Sequence, residues 1–304
     1  MITSVPSATT AASPRHNSLW DESYKRLKKN KAAVISAYFI LFVIGVAMFA
    51  QFLAPYAFDV QNVERILLSP NAQNWLGTDS LGRDIFSRLI FGSRISIAVG
   101  IFTAVVSLLM GTVYGAFSGW FGGKIDSLMM RLVDILYSIP ALVLLVLAKV
   151  TIESLETFKD PELRALFSIF GALSIYGWMG MARIVRGQVL QAKQMQYIEA
   201  ARSLGISSPS IVMRHILPNI LGPIIVTLTF QIPANVMFES FLSFIGLGLQ
   251  PPYSSWGVLA NEGWRSLRTF PHLIISPGIA IFLTMLAFNL FGDGLRDAFD
   301  PKTK

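Results

Sequence analysis

The sequence predicts an all-α polytopic membrane protein with six transmembrane helices. Three observations carry that prediction. Only 14% of the 304 residues are charged and 53% are apolar, giving a mean hydropathy of +0.55, whereas a soluble domain carries about a quarter charged residues. Five stretches (32–58, 95–123, 165–182, 216–238 and 269–292) contain no charged residue, and each approaches or exceeds the ~18–20 residues a helix needs to cross a bilayer. Threading six spans then places 16 of the 25 Lys and Arg on one face, as the positive-inside rule requires of a cytoplasmic side.

Residues 1–31 form the N-terminal segment. Its first 18 residues are polar and lack the apolar region of a secretory signal, so the first span, 32–56, is expected to stay as an anchor. The run Lys25–Lys31 (KRLKKNK) reads as a topology signal at the headgroups, and Tyr56 marks the outer end of the span. Residues 57–94 form an extracytoplasmic loop containing LGTDSLGRD (76–84), rich in turn formers. Ile85, Leu89 and Ile90 against Arg88 and Arg94 predict a short interfacial helix leading into the next span.

The transmembrane region covers 95–294, with spans at about 95–119, 128–149, 165–182, 217–240 and 272–292. Gly111, Gly115 and Gly119 lie four residues apart, on one helix face where a neighbouring backbone can approach closely. The third span is the weakest. Residues 135–148 are too few alone and reach span length only with Arg131 and Asp134, which are three apart and expected to pair with each other. Arg183 and Arg186 end the fourth span at the inner surface, near Trp178 as an interfacial anchor. Residues 240–249 are apolar but broken by Gly246 and Gly248, with Pro251-Pro252 following, and read as a loop or re-entrant turn.

The fifth span carries Pro223 in its first turns and Pro233 in mid-membrane, where proline is expected to free a carbonyl and kink the helix. Gln231, Asn235 and Glu239 recur every four residues around it as one polar stripe. Such groups face a bundle interior or a water-filled route, so the stripe is expected to line the translocation path, with interhelical hydrogen bonding to a partner subunit as the competing reading. Asn289 in the sixth span is a further path candidate. Residues 295–304 form a C-terminal tail on the same side as the N-terminus.

Between the fourth and fifth spans lies a polar connection, 183–216. Residues 192–204 are good helix formers, and Gly205 follows where a left-handed cap belongs. Ser208 can cap a second short helix with Pro209 at its first position, and Leu217-Pro218 is expected to stop that helix before the next span.

Several chemistries are excluded. The only near match to a phosphate-binding loop, at Gly123-Lys124, has Ser118 where the first glycine belongs and Ile125 where Ser or Thr should follow. Three scattered histidines (His16, His215, His272) form no metal cluster or catalytic dyad, and zero cysteines exclude disulfides and thiolate metal sites. Phe291-Gly292-Asp293-Gly294 superficially suggests a membrane aspartyl protease, but Leu290 stands where the first glycine is needed. The net charge of +7 is distributed for topology rather than for nucleic acid. A secondary transporter or channel stays as the alternative, although it would need several buried ionisable groups or repeated halves.

The pattern Glu199-Ala200-Ala201, Gly205 and Leu217-Pro218 resembles the EAA loop of ABC importer permeases. In that family the loop is a coupling helix that inserts into a cleft on a cytoplasmic ATPase, and an Ile usually stands where His215 does. Segments 76–94, 122–131, 238–248, 255–257 and 292–302 look like the second permease subunit of bacterial peptide importers, which serve oligopeptides, dipeptides or nickel, with the oligopeptide permease most similar. The resemblance implies the type I ABC importer permease fold in the bacterial inner membrane, with both termini cytoplasmic. It implies a homologous second permease, an extracytoplasmic peptide-binding protein, and two cytoplasmic ATPases that bind ATP and Mg, so that this chain needs no cofactor. Glu199 is then expected to anchor the loop to a basic neighbour, Ala200 and Ala201 to keep it slim, and Gly205 to make its turn.

Overall fold

The computed structural model describes residues 19–155, 159–249 and 253–300. The polar stretch 1–18 with His16, Pro251-Pro252 and the residues from 301 onward lie outside the described residues.

The basic run before the first span folds as a helix, α1 (Leu19–Lys29), with Asp21 and Glu22 in its first turn and Arg26, Lys28 and Lys29 in its last, the charge order a helix dipole favours. Asn30 caps the next helix, α2 (Lys31–Met48), by accepting from the Ala33 N–H at 3.2 Å. A four-residue turn, α3 (Ala50–Leu53), follows. The expected interfacial helix and second span are one continuous helix, α4 (Ile85–Phe121), 37 residues long and so about 55 Å. Arg88 and Arg94 interrupt the hydropathy but do not oppose helical backbone, so nothing breaks it before Gly122, at φ +66°.

The third span is split. α5 (Gly123–Ser138) and α6 (Ala141–Ser154) meet at 95° across Ile139-Pro140, because proline excludes its predecessor from helical geometry. α7 (Pro161–Ala192) runs ten residues past the expected end of the fourth span. α8 (Gln196–Ser203), α9 (Ser208–Ile211) and a π-turn (Val212–Ile216) lead directly into α10 (Leu217–Phe244). Leu217-Pro218 therefore does not stop the second short helix. The Leu217 N–H reaches back five residues to the Val212 carbonyl, a wide turn, and Pro218 just after it costs one helical bond without ending the helix. α10 also runs through Pro223 and Pro233 to Phe244, taking in half of the stretch expected to be a loop. α11 (Trp256–Trp264) and α12 (His272–Phe299) complete the described chain. Among the described residues, five helices are long and apolar enough to cross a membrane, and six if the bent α5–α6 pair counts as one span.

Among the described helices α4 and α7 share the most extensive contact, and the glycine face explains it. A Cβ on Gly111 would stand 2.6 Å from the Met181 Cβ, and one on Gly119 would stand 2.9 Å from the Arg186 carbonyl oxygen. A Cβ on Gly115 would collide with the Ala182 carbonyl. Close packing inside the bundle is thus what the three glycines do. Gly115→Val is expected to force the helices apart at a cost of about 1–3 kcal/mol, read as a lower unfolding midpoint. Gly45→Val, where the added atoms meet open space, should leave it unchanged.

Candidate functional site

The polar connection builds a hairpin at the far end of α4. Ala192 closes α7 and residues 193–195 turn, so the expected single helix from 192 is broken before α8 begins. α8 ends in a Schellman cap: Gly205 takes φ +73°, its N–H bonds the Arg202 carbonyl at 2.9 Å, and the Ile206 N–H bonds the Ala201 carbonyl at 3.1 Å. Gly205 thus makes the turn expected of it. Ser207, rather than Ser208, is the N-cap of α9, with Pro209 in its first turn.

One face of the hairpin is apolar and anchored. Ile198, Ala201, Ile211 and Ile216 are buried with Val185 and Val189 of α7 and Ala116 of α4. Ala200 points outward while Ala201, one residue on, points in, so only one of the two small residues lets the helix sit close. The other face offers Tyr197, Leu204, Met213 and Arg214 to the outside, and Leu204, beside the glycine turn, is 81% exposed. Pro218 is also exposed, and Leu217 is half-buried. Asn219 ties the ends together, donating to the Tyr197 hydroxyl at 3.1 Å and the His215 carbonyl at 2.9 Å.

The expected role of Glu199 is not what the structure shows. Its side chain is exposed and forms no ion pair among the described residues. The hairpin is held instead by cations on Trp120, at the end of α4. The Arg202 guanidinium lies 4.9 Å from the indole centroid and the Lys193 ammonium 5.5 Å, and Lys193 also donates to the Trp120 carbonyl. Each such contact contributes about 0.5–1 kcal/mol at an exposed site.

The neighbouring arginines have other partners. Arg186 donates to Asp126 at 2.6 Å, and Ser118 donates to the same carboxylate at 2.5 Å, joining α7, α5 and α4. Arg183 bonds Asp134 at 2.5 Å, so Asp134 turns to α7 and the expected Arg131–Asp134 pair does not form. Trp178, expected at the interface, is buried with its ring edge-on to Tyr114. Replacing Trp120 by Ala is expected to lower substrate uptake several-fold in the assembled complex, with Trp120→Phe retaining most of it. Unchanged uptake by the Ala variant would remove this contact from the machinery.

The polar stripe on α10 is enclosed within the subunit. Gln231 donates to the Gly177 carbonyl of α7 at 3.0 Å, and Asn235 donates to the Thr103 hydroxyl of α4 at 2.7 Å. Glu239, with no exposed surface, accepts from Ser96 of α4 at 3.0 Å and from Ser243 at 2.9 Å. These bonds fasten α10 to α4 and α7, and in this structure Asn235 and Glu239 line no open path. Asn289 stands apart, exposed on α12.

The opposite end of α4 holds a charge cluster that the sequence did not disclose. In the turn 79–82, Asp79 accepts from the Leu81 and Arg83 N–H groups at 2.8 and 3.0 Å. The same carboxylate pairs with Arg83 at 2.6 Å and Arg88 at 2.5 Å, and Glu262 of α11 bonds both arginines. Asp84 caps α4 by accepting from the Ser87 N–H at 2.7 Å. The i,i+4 spacing of Asp79 and Arg83 was a visible signal, whereas Glu262 lies far away in sequence. Among the described residues, no cluster of His, Asp or Glu could hold a metal ion.

Comparison with known proteins agrees with this geometry. Residues 111–304 match the family described as binding-protein-dependent transport system inner membrane component, and residues 18–70 match the N-terminal TM domain of oligopeptide transport permease C. The dipeptide transport system permease protein DppC of Bacillus subtilis (strain 168) is 43% identical over 284 residues, spanning 93% of this chain and 86% of the relative. The oligopeptide transport system permease protein OppC of the same strain is 41% identical over 94% of this chain and 91% of its own length. The glutathione transport system permease protein GsiD of Pectobacterium atrosepticum is 42% identical over 94% and 92%. The MetNI methionine ABC transporter, solved in inward facing conformations, shares the fold with a TM-score of 0.58 at 17% identity, covering 70% of this chain and 96% of that one. A helical bundle with this fold and these relatives places the chain in the family of binding-protein-dependent transport system inner membrane components, as a permease subunit of an ABC importer.

Proposed function

We propose that the chain is one of two homologous permeases in an importer that moves peptides into the cytoplasm, driven by two separate ATPase subunits that bind ATP and Mg. The relatives are named for dipeptide, oligopeptide and glutathione transport, and the chemistry common to those cargoes is the peptide bond. An extracytoplasmic peptide-binding protein delivers the cargo. Both termini and the α8–α9 hairpin face the cytoplasm, a reading supported by the excess of Lys and Arg on that side.

The observation that carries the reading is the hairpin itself: rigidly capped at Gly205, fixed to α4 and α7 on one face, and offering Leu204 bare on the other. Exposed Tyr197 and Met213 join Leu204 on the hairpin's unanchored side, and apolar surface gathered in this way supports docking, here into a cleft on the ATPase. Closure of the ATPase pair would push the hairpin, and Ile198, Ala201 and Trp120 would pass that push to the spans. The bonds from Gln231, Asn235 and Glu239 would make α10 move with α4 and α7.

The chain has no cysteine, so Leu204→Cys gives a single labelling site. In the full complex a photoreactive probe there should crosslink to an ATPase subunit, and vesicles holding the complex should accumulate peptide only with ATP. Peptide flux through the chain without ATPase subunits would instead establish a secondary transporter.

A further inference from the structure

Arg94 on α4 has no carboxylate within ion-pair distance among the described residues, and its side chain is exposed. Every other arginine of that helix and its preceding turn is buried in the Asp79–Glu262 cluster. Arg94 lies six residues beyond Arg88, so about 9 Å further along the helix, and shares a groove with Met48, the last residue of α2. That is the level at which a long cation meets headgroups while its stem stays in hydrocarbon.

Two apolar grooves meet at this residue. One, of about 650 Å³, runs between α2 and α4 past Ile44, Ile101 and Val105. The other, of about 370 Å³, lies between α4 and α7 and is lined by Leu166 and Phe170 together with Phe58, Phe91, Tyr253 and Ser254. Arg94 and Ala98 border both. A single cation on the shared border of two apolar grooves matches the outline of a diacyl phospholipid: one anionic head and two chains.

We propose that an anionic phospholipid, from the leaflet opposite the α8–α9 hairpin, sits astride α4 with its phosphate on the Arg94 guanidinium and one acyl chain in each groove. Charge complementarity selects the head, because a guanidinium fork matches phosphate oxygens in pairs and an unanswered cation among apolar side chains is unfavourable. The recess of about 510 Å³ between α2, α4 and α12 has no charged lining residue and accepts hydrocarbon without head selectivity. The proposal needs the chain to lie in a membrane but does not depend on its cargo.

The test titrates the full importer complex containing this chain with phosphatidylglycerol or phosphatidylcholine and counts retained lipid by native mass spectrometry. Wild type should hold one phosphatidylglycerol that Arg94→Gln binds about tenfold more weakly, with no difference for phosphatidylcholine. Ala98→Trp fills the shared border while keeping the cation, and should lose the same lipid. Inorganic phosphate should not displace it. Equal retention of both lipids by wild type, undiminished phosphatidylglycerol in either variant, displacement by inorganic phosphate, or a crosslinker at position 94 capturing the homologous permease would each overturn the proposal. Uptake measured in parallel keeps the two readings apart: a complex that binds the lipid but moves no peptide loses the cargo assignment and retains the lipid site.

Discussion

Gly205→Val is expected to abolish ATP-driven uptake while the assembled complex continues to hydrolyse ATP. Gly205 holds φ +73°, and a Cβ there would meet nothing within 4 Å, so the entire penalty is backbone strain rather than collision. An L-residue in the left-handed region costs about 1–2 kcal/mol, and a β-branched one resists it most. The loop can relieve that strain only by unwinding the Schellman cap, which would release Ile206 from Ala201 and swing Leu204 off its position. Substitution should therefore rank by tolerance of positive φ: Asn close to wild type, Ala impaired, Val without uptake. Paired measurements of ATP hydrolysis and peptide accumulation in vesicles separate uncoupling from loss of assembly, and a Val variant that accumulates peptide normally would deprive the turn of its role.

The second large effect is expected at Arg88. Its side chain has no exposed surface and pairs with Asp79 and Glu262, whose side chains are 4% and 20% exposed. Removing Arg88 leaves Arg83 alone against two carboxylates, one buried charge uncompensated, at about 3–5 kcal/mol. Arg88→Ala should accordingly lower the unfolding midpoint of the purified complex and expose the 57–84 segment to proteases. Arg88→Lys keeps the charge but cannot divide it between two carboxylates in one plane, and should fall between. Arg26→Ala on α1 is the control, since its 3.9 Å pair with Glu22 and its 3.0 Å bond to the Asp300 carbonyl are both surface contacts, the ion pair contributing less than about 1 kcal/mol. Equal stability of Arg88→Ala and Arg26→Ala would mean that the cluster does not hold the fold.

The spans were legible because a bilayer demands long uncharged stretches, and Gly205 was legible because a helix-ending turn of positive φ admits few other residues. A close helix contact on the face of Gly111, Gly115 and Gly119 could be read for a similar reason, since the absence of a side chain explains that spacing on an apolar face, but that α7 makes the contact could not. Charged partners were not legible. Asp134 is three residues from Arg131, yet bonds Arg183 on another helix, and Glu199 is surrounded by basic sequence but faces outward. Sequence separation constrains which groups can meet along one helix, whereas ion pairs between helices depend on how those helices are rotated. Nothing in the sequence singles out Trp120 at the end of α4, and only the return of α8 against it brings Arg202 to its ring. Pro218 misled because its missing N–H costs one helical bond without ending the helix, here just after a wider π-turn.

The uninterrupted length of α4 ties the two faces of the membrane together. Its N-terminal end is welded to α11 through Arg88 and Glu262, and Trp120, about 48 Å away along the axis, rests against the hairpin. In the proposed importer, a push on the hairpin would travel along this single rod to the α11 end, so that opening on one side and closing on the other would be one movement rather than two.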